Sequence, residues 1–127
     1  MASLAAIGIT SHDIPETCRF YRTLGVDVPE PPAGEDHVEA TLPSGLRIMF
    51  DTEELMRQLD ADWQPATGHA ITLAFECKDA ADVDATYARL TEAGFSGTKE
   101  PYDAFWGQRY ANVDDPDGND VALFAPL

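Results

Sequence analysis

The residues able to do chemistry in this 127-residue chain are three histidines, two cysteines and 23 acidic side chains. Such residues supply His and carboxylate ligands for a metal, a thiolate nucleophile, or a pair of carboxylates acting as acid and base. Their spacing narrows the choice. His12, His37 and His69 form no HxH or i, i+4 pair, the spacings that put two imidazoles on one face of a strand or helix. His37 with Glu39 comes nearest to a ligand pair, because residues i and i+2 of a strand share a face. Cys18 and Cys77 make no CxxC, and Cys18, beside Arg19 in a helical stretch, reads as packed rather than nucleophilic. No GxSxG elbow or Gly-rich phosphate loop occurs, and among so many carboxylates no two stand out as an acid–base couple. The remaining feature is aromatic. Tyr102, Phe105 and Trp106 crowd one short segment and Trp63 lies in mid-chain. Rings in such a cluster fill a core or an interface, or stack on a planar or cationic ligand.

Charge removes one class of partner. Eight Lys and Arg against 23 Asp and Glu give a net charge of −15. The excess is even: residues 1–63 hold 12 acids and 4 bases, residues 64–127 hold 11 and 4. A basic face able to neutralise phosphates is therefore missing, which excludes nucleic acid as a partner. The acids read as a solvated surface, with a field favouring a cationic ligand as the sharper alternative. No apolar run reaches the roughly 18–20 residues of a membrane span, and the N-terminus lacks a basic leader. Two cysteines without a ligand or disulfide spacing then point to the cytoplasm.

The elements that must position these residues come in a repeat. AAIGITSHD is an apolar strand ending in an acid, followed by the helical stretch IPETCRFYRTL, which stops at Gly25. TLAFECKD and AADVDATYARLTEA, which stops at Gly94, repeat the pattern. Asp13 and Asp79 stand where an N-cap is needed, and each glycine supplies a C-cap. After each helix come further strands: VDVP, DHVEATL and LRIMF in the first half, and FSGTKE, WGQRYANVD and NDVALFA in the second. The turns at Pro43-Ser44-Gly45 and Pro116-Asp117-Gly118 join the last two strands of each half. Each half reads β-α-β-β-β, within one α+β domain: a first module over about residues 1–52, an irregular helical connector over 53–67 and a second module over 68–127.

A duplicated βαβββ unit with these pieces in this order resembles the vicinal oxygen chelate superfamily of glyoxalases, extradiol dioxygenases and antibiotic-resistance proteins. The resemblance covers nearly the whole chain. It rests on Asp13-Ile14 ahead of Arg19-Phe20-Tyr21-Arg22-Thr23-Leu24-Gly25, and on Trp106-Gly107-Gln108-Arg109-Tyr110 leading into Asp115-Pro116-Asp117-Gly118-Asn119. It implies a cupped mixed sheet with the site on the concave side. It also implies metal ligands at four strand positions, one on the first and one on the last strand of each module. Seven residues before each capping acid lie Ala6 and Thr72; four residues after each turn glycine lie Met49 and Ala122. None of the four is a usual ligand for Zn, Mg, Mn or Fe(II).

The expectation is accordingly a chain with no cofactor and no metal at these positions, leaning away from an enzyme. The bleomycin-resistance type, which the sequence resembles more than the metal enzymes, implies a homodimer that sequesters a cationic antibiotic in clefts at its interface, here a planar or cationic antibiotic-like ligand in an aromatic-lined cleft. His37, Tyr102, Phe105, Trp106 and Gln108, with Arg109 as a further polar group, would contact that ligand around the hollow left by Ala6, Met49, Thr72 and Ala122. The alternatives are a glyoxalase-like lyase or dioxygenase with a non-standard metal site, and a metal-free isomerase or hydrolase.

Overall fold

A computed structural model describes residues 1–127, which divide into two compact units, Met1–Ala66 and Thr67–Leu127. In the first unit, β1 (Ala6–Ser11) leads into α1 (Ile14–Leu24), followed by β2 (His37–Thr41), β3 (Arg47–Thr52) and the short α2 (Glu53–Leu59). Asp13 caps α1 by accepting from the Glu16 amide at 3.2 Å, and Gly25 closes it at φ +124°. The sheet runs β1-β3-β2, with β1 parallel and β2 antiparallel to β3. α1 buries Ile14, Thr17, Cys18, Phe20, Tyr21 and Leu24, and the Tyr21 ring lies 5.2 Å from that of Phe50 on β3. Ile9, Val38, Ala40 and Ile48 complete this core.

The second unit runs β4 (Thr72–Glu76), α3 (Ala80–Glu92), β5 (Ser96–Ala104), β6 (Gln108–Asp114) and β7 (Asp120–Pro126). Asp79 caps α3 through the Asp82 amide at 2.8 Å. The sheet order is β4-β7-β6-β5, with β4 parallel to β7 and the other pairs antiparallel. α3 packs on β5, β6 and β7 and buries Val83, Thr86 and Leu90. Ala111, Val113, Val121, Leu123 and Ala125 are buried with them at the period 2 of a strand face, and Ala122 on the other face of β7 is buried as well.

These are the mixed sheets and capped helices expected, and α2 covers 53–59 of the segment read as a connector. Two details differ. VDVP forms no strand: residues 25–36 are a loop, so the first unit is β-α-β-β. Val26 and Val28 are buried there, yet Pro29, Pro31 and Pro32 cannot donate to a ladder. Trp106 also lies outside the strands, in the turn between β5 and β6, where Gly107 takes φ +88°. No helix is long and apolar enough to cross a membrane.

Candidate functional site

Each sheet has one face turned from its helix, and alternation places the candidate residues there. In the first unit that face carries Ala6 and Gly8 of β1, Arg47, Met49 and Asp51 of β3, and His37 and Glu39 of β2. The register pairs Gly8, Met49 and Glu39 across the three strands, and His37 with Asp51. His37 is bound at both ring nitrogens: Nδ1 lies 2.5 Å from Asp51 Oδ1 and Nε2 lies 2.9 Å from Glu39 Oε1. The Glu39 carboxylate accepts a second time, from Arg47 Nη1 at 3.0 Å. Hydrogen bonds to Asp51, then to Glu39, raise the His37 pKa above its ordinary value, and His37 in turn holds Glu39 below the usual carboxylate range. An imidazole engaged at both nitrogens offers no lone pair to an ion, so His37 and Glu39 form a charge-paired strap between β2 and β3.

In the second unit the face turned from α3 is built in rows by the register. Thr72 pairs with Asp120 and Asp120 with Asp114; next come Ala74, Ala122 and Asn112; then Glu76, Phe124 and Tyr110, with Tyr102 beyond Tyr110 on β5. Rows separated by two residues stand about 6.6 Å apart at the usual strand rise, so the acidic row and the aromatic row lie about 13 Å apart. In the aromatic row the Trp106 ring meets Tyr110 at 5.2 Å, Phe105 at 5.0 Å and Tyr102 at 6.4 Å, all edge-to-face. Trp106 Nε1 donates to Gln108 Oε1 at 2.8 Å, which fixes the indole. Lys99 Nζ sits 4.9 Å from the Tyr102 ring centre. Burial, then the charge of Asp120, raises the Tyr110 pKa and keeps its hydroxyl protonated. Phe105 is 97% exposed and Trp106 48%, a large apolar surface at the tip of the turn.

Tyr102, Phe105, Trp106 and Gln108 are thus brought together in the second unit, and His37 belongs to the first. Arg109 is committed to Asp84, at 2.9 Å, and to Asp103, at 3.1 Å; these ion pairs tie β6 to α3 and β5. Of the four strand positions, Ala6 and Met49 fall on the face of the first sheet turned from α1, and Thr72 and Ala122 on the face of the second turned from α3. Ala122 is fully buried, and the Thr72 hydroxyl donates to Asp120 Oδ2 at 2.5 Å. Two alanines, a thioether and an engaged neutral hydroxyl do not fit a hard or borderline divalent ion. Cys18 is fully buried, and burial pushes its thiol pKa up, the opposite of what a nucleophile needs.

Another cluster escapes the sequence. His69, in the loop before β4, lies with Asp114 and Asp120 so that one ligand atom of each falls within 4.8 Å of the others. Two signals point to it in retrospect. Asp120 is two residues before Ala122 and shares its face, and the Pro116-Asp117-Gly118 turn brings Asp114 opposite Asp120.

Two mixed sheets, each packed against a helix, define an α+β protein built from two similar modules. The sequence profile of the Glyoxalase/Bleomycin resistance protein/Dioxygenase superfamily matches residues 3–123, and the chain belongs to that superfamily. No curated protein matches the chain by sequence. Solved structures of similar fold include a glyoxalase/bleomycin resistance protein/dioxygenase family enzyme from Burkholderia phytofirmans PsJN, 22% identical, with a TM-score of 0.85 over 99% of this chain and 100% of that one. A superfamily member from Sphaerobacter thermophilus DSM 20745 is 25% identical, with a TM-score of 0.70 over 98% and 97% of the two chains. A lactoylglutathione lyase from Agrobacterium tumefaciens is 18% identical, with a TM-score of 0.70 over 98% and 93%.

Proposed function

We propose that this superfamily member binds a planar, cationic small molecule on the aromatic row of its second unit, without a metal at Ala6, Met49, Thr72 and Ala122. The observation that carries the reading is the edge-to-face cluster of Tyr102, Phe105, Trp106 and Tyr110, whose outer members are exposed and whose indole is held by Gln108. An edge-to-face pair covers one face of the ring that receives the edge and leaves its opposite face for a guest, and the quadrupole of that face favours positive charge. Lys99 over Tyr102 shows that geometry already in use. Glu76 on the same face and the net charge of −15 add a favourable field. Binding of this kind sequesters its ligand stoichiometrically, the mode expected of an antibiotic-resistance protein. The same proposal includes a homodimer in the cytoplasm, which the apolar tip at Phe105 and the unpaired Cys18 and Cys77 support.

The test is a titration of the full chain carrying Trp63→Phe, so that Trp106 alone reports, with ethidium as a planar aromatic cation. Saturable quenching is expected, weakened about tenfold by Phe105→Ala or Tyr102→Ala, the loss of one stacking contact of about 1–3 kcal/mol. Quenching that rises linearly without saturation, or that ignores both substitutions, overturns the proposal.

A further inference from the structure

The acidic row at the other end of the second sheet poses a separate question. Asp114 and Asp120 are direct cross-strand partners on β6 and β7, an arrangement in which like charges repel. The protein supplies only partial relief. Thr72 and Asn112 each donate to Asp120, to Oδ2 at 2.5 Å and to Oδ1 at 3.2 Å, which orients that carboxylate without neutralising it. Asp114 Oδ1 is itself buried and accepts no hydrogen bond. His69 Nε2 stands 3.4 Å from that oxygen, an ion-pair spacing without hydrogen-bond geometry. A buried carboxylate oxygen without a donor is costly, and this one faces an imidazole nitrogen and a second carboxylate.

We infer that His69, Asp114 and Asp120 bind a divalent transition-metal cation, with Zn2+ the best match. The spacing supports this. Two ligand atoms about 2.0–2.1 Å from a tetrahedral ion stand about 3.3–3.4 Å apart, which is the His69 to Asp114 distance already present. Bringing Asp120 to the same spacing requires its ligand oxygen to move by at most about 1.4 Å, since all three atoms already lie within 4.8 Å. An imidazole with two carboxylates suits Zn2+ or Mn2+ and leaves at least one coordination position to water. Thr72 and Asn112 then act as supports behind the ligand Asp120, the outer hydrogen bonds that aim a metal-binding carboxylate. Asp120 and Asp114 share a row with Thr72 and lie one row from Ala122, and the three ligands are different residues from the four strand positions whose side chains cannot hold an ion. It stands independently of the aromatic proposal, because it shares no residue with Tyr102, Phe105, Trp106 or Tyr110.

Calorimetric titration of the full chain with Zn2+ at pH 7, and separately with Ca2+, tests it. One Zn2+ per chain is expected, bound at least tenfold more tightly than Ca2+. His69→Ala, a change in an exposed loop that leaves the core untouched, should weaken Zn2+ at least tenfold, as should Asp114→Asn. His37→Ala should leave Zn2+ binding unchanged. The inference is overturned by the absence of saturable one-to-one binding, by Zn2+ affinity that survives His69→Ala, or by a loss that follows His37 instead. Ca2+ binding as tight as Zn2+ would mark a diffuse acidic surface and overturn it equally.

Discussion

Asp115 opens the turn between β6 and β7, and its replacement should be among the most costly single changes in the second unit. Its side chain is almost fully buried. Oδ1 accepts from the Asp117 and Asn119 amides, each at 2.9 Å, and Oδ2 accepts from Asn119 Nδ2 at 2.9 Å. The backbone closes the same turn, with the Asp115 amide donating to Asn119 O at 2.9 Å and the Gly118 amide to Asp115 O at 3.0 Å. Hydrogen bonds to a charged acceptor contribute about 1.5–3 kcal/mol each, a gross loss of about 4.5–9 kcal/mol for Asp115→Ala. Two effects reduce it: the mutant no longer desolvates a carboxylate, and the freed amides of a surface turn regain water. The net expectation is about 3 kcal/mol for Asp115→Ala. Asp115→Asn keeps a carbonyl acceptor for both amides and loses the charge, so it should cost about 1 kcal/mol. Urea unfolding followed by Trp106 fluorescence in a Trp63→Phe background measures both. A loss under about 1 kcal/mol for alanine, or equal losses for alanine and asparagine, would show that the carboxylate does not hold the turn. Because this turn sets Asp114 opposite Asp120, alanine should also weaken Zn2+ binding, and asparagine should largely preserve it.

Two further outcomes follow from the same geometry. At Gly97 on β5, a Cβ would come within 2.1 Å of Tyr87 Oη and 2.6 Å of its Cζ, so Gly97→Ala must displace the Tyr87 ring. The cost should be about 1–2 kcal/mol by denaturant titration, and most of it should vanish in a Tyr87→Ala background; full additivity of the two changes would refute the clash. His37→Gln should destabilise the first unit in a pH-dependent way. The folded-state His37 pKa is raised by Asp51 and Glu39, so its contribution is fully present below the unfolded value of about 6.5 and is lost as pH rises through the folded-state pKa. With His37 half-exposed, solvent screening limits the difference to about 1 kcal/mol or less near pH 5.5, and parent and variant melting points should converge at alkaline pH; a gap that widens there would reverse the sign and sink the assignment.

Most of the second unit is legible in the sequence because each boundary has a local cause. Asp79 caps α3, Gly94 at φ +95° follows its end, and Pro116 to Gly118 with φ +83° at Gly118 turns β6 into β7. In the first unit the same logic misplaces a strand at residues 26–29: an apolar pair reads as strand, while the prolines that follow withhold the donors a strand needs. The aromatic cluster is legible as a concentration of rings in one segment, although Tyr110, at its centre, joins through the β5–β6 pairing. Of the His69 cluster, the turn makes the Asp114–Asp120 pair legible, and the addition of His69 and Thr72 to it is not. It depends on β4 lying parallel to β7, which sets Thr72 beside Asp120, 48 positions later in the chain, and no local pattern encodes that pairing. Parallel neighbours joined through a helix and two intervening strands are a tertiary fact, and histidine spacing along the chain carries no trace of it.

The charge of −15 also divides once the contacts are known. Asp13 and Asp79 cap helices, Asp115 holds a turn, Asp84 and Asp103 share Arg109, and Asp51 and Glu39 enclose His37. Each of these acids is balanced by amides or by a cation. Asp114 and Asp120 face each other across two strands with less relief: Asp120 accepts from the Thr72 hydroxyl and the Asn112 amide, both neutral, and Asp114 Oδ1 accepts no hydrogen bond, with a histidine nitrogen at 3.4 Å. A surface evolved for solubility alone gains nothing from placing two carboxylates in direct register, where repulsion works against the ladder that joins β6 to β7. A cation bound between them reverses the sign of that interaction. The same pairing that weakens the metal-free sheet would then draw the strands together, so Zn2+ should raise the unfolding midpoint of the parent chain and leave that of His69→Ala little changed.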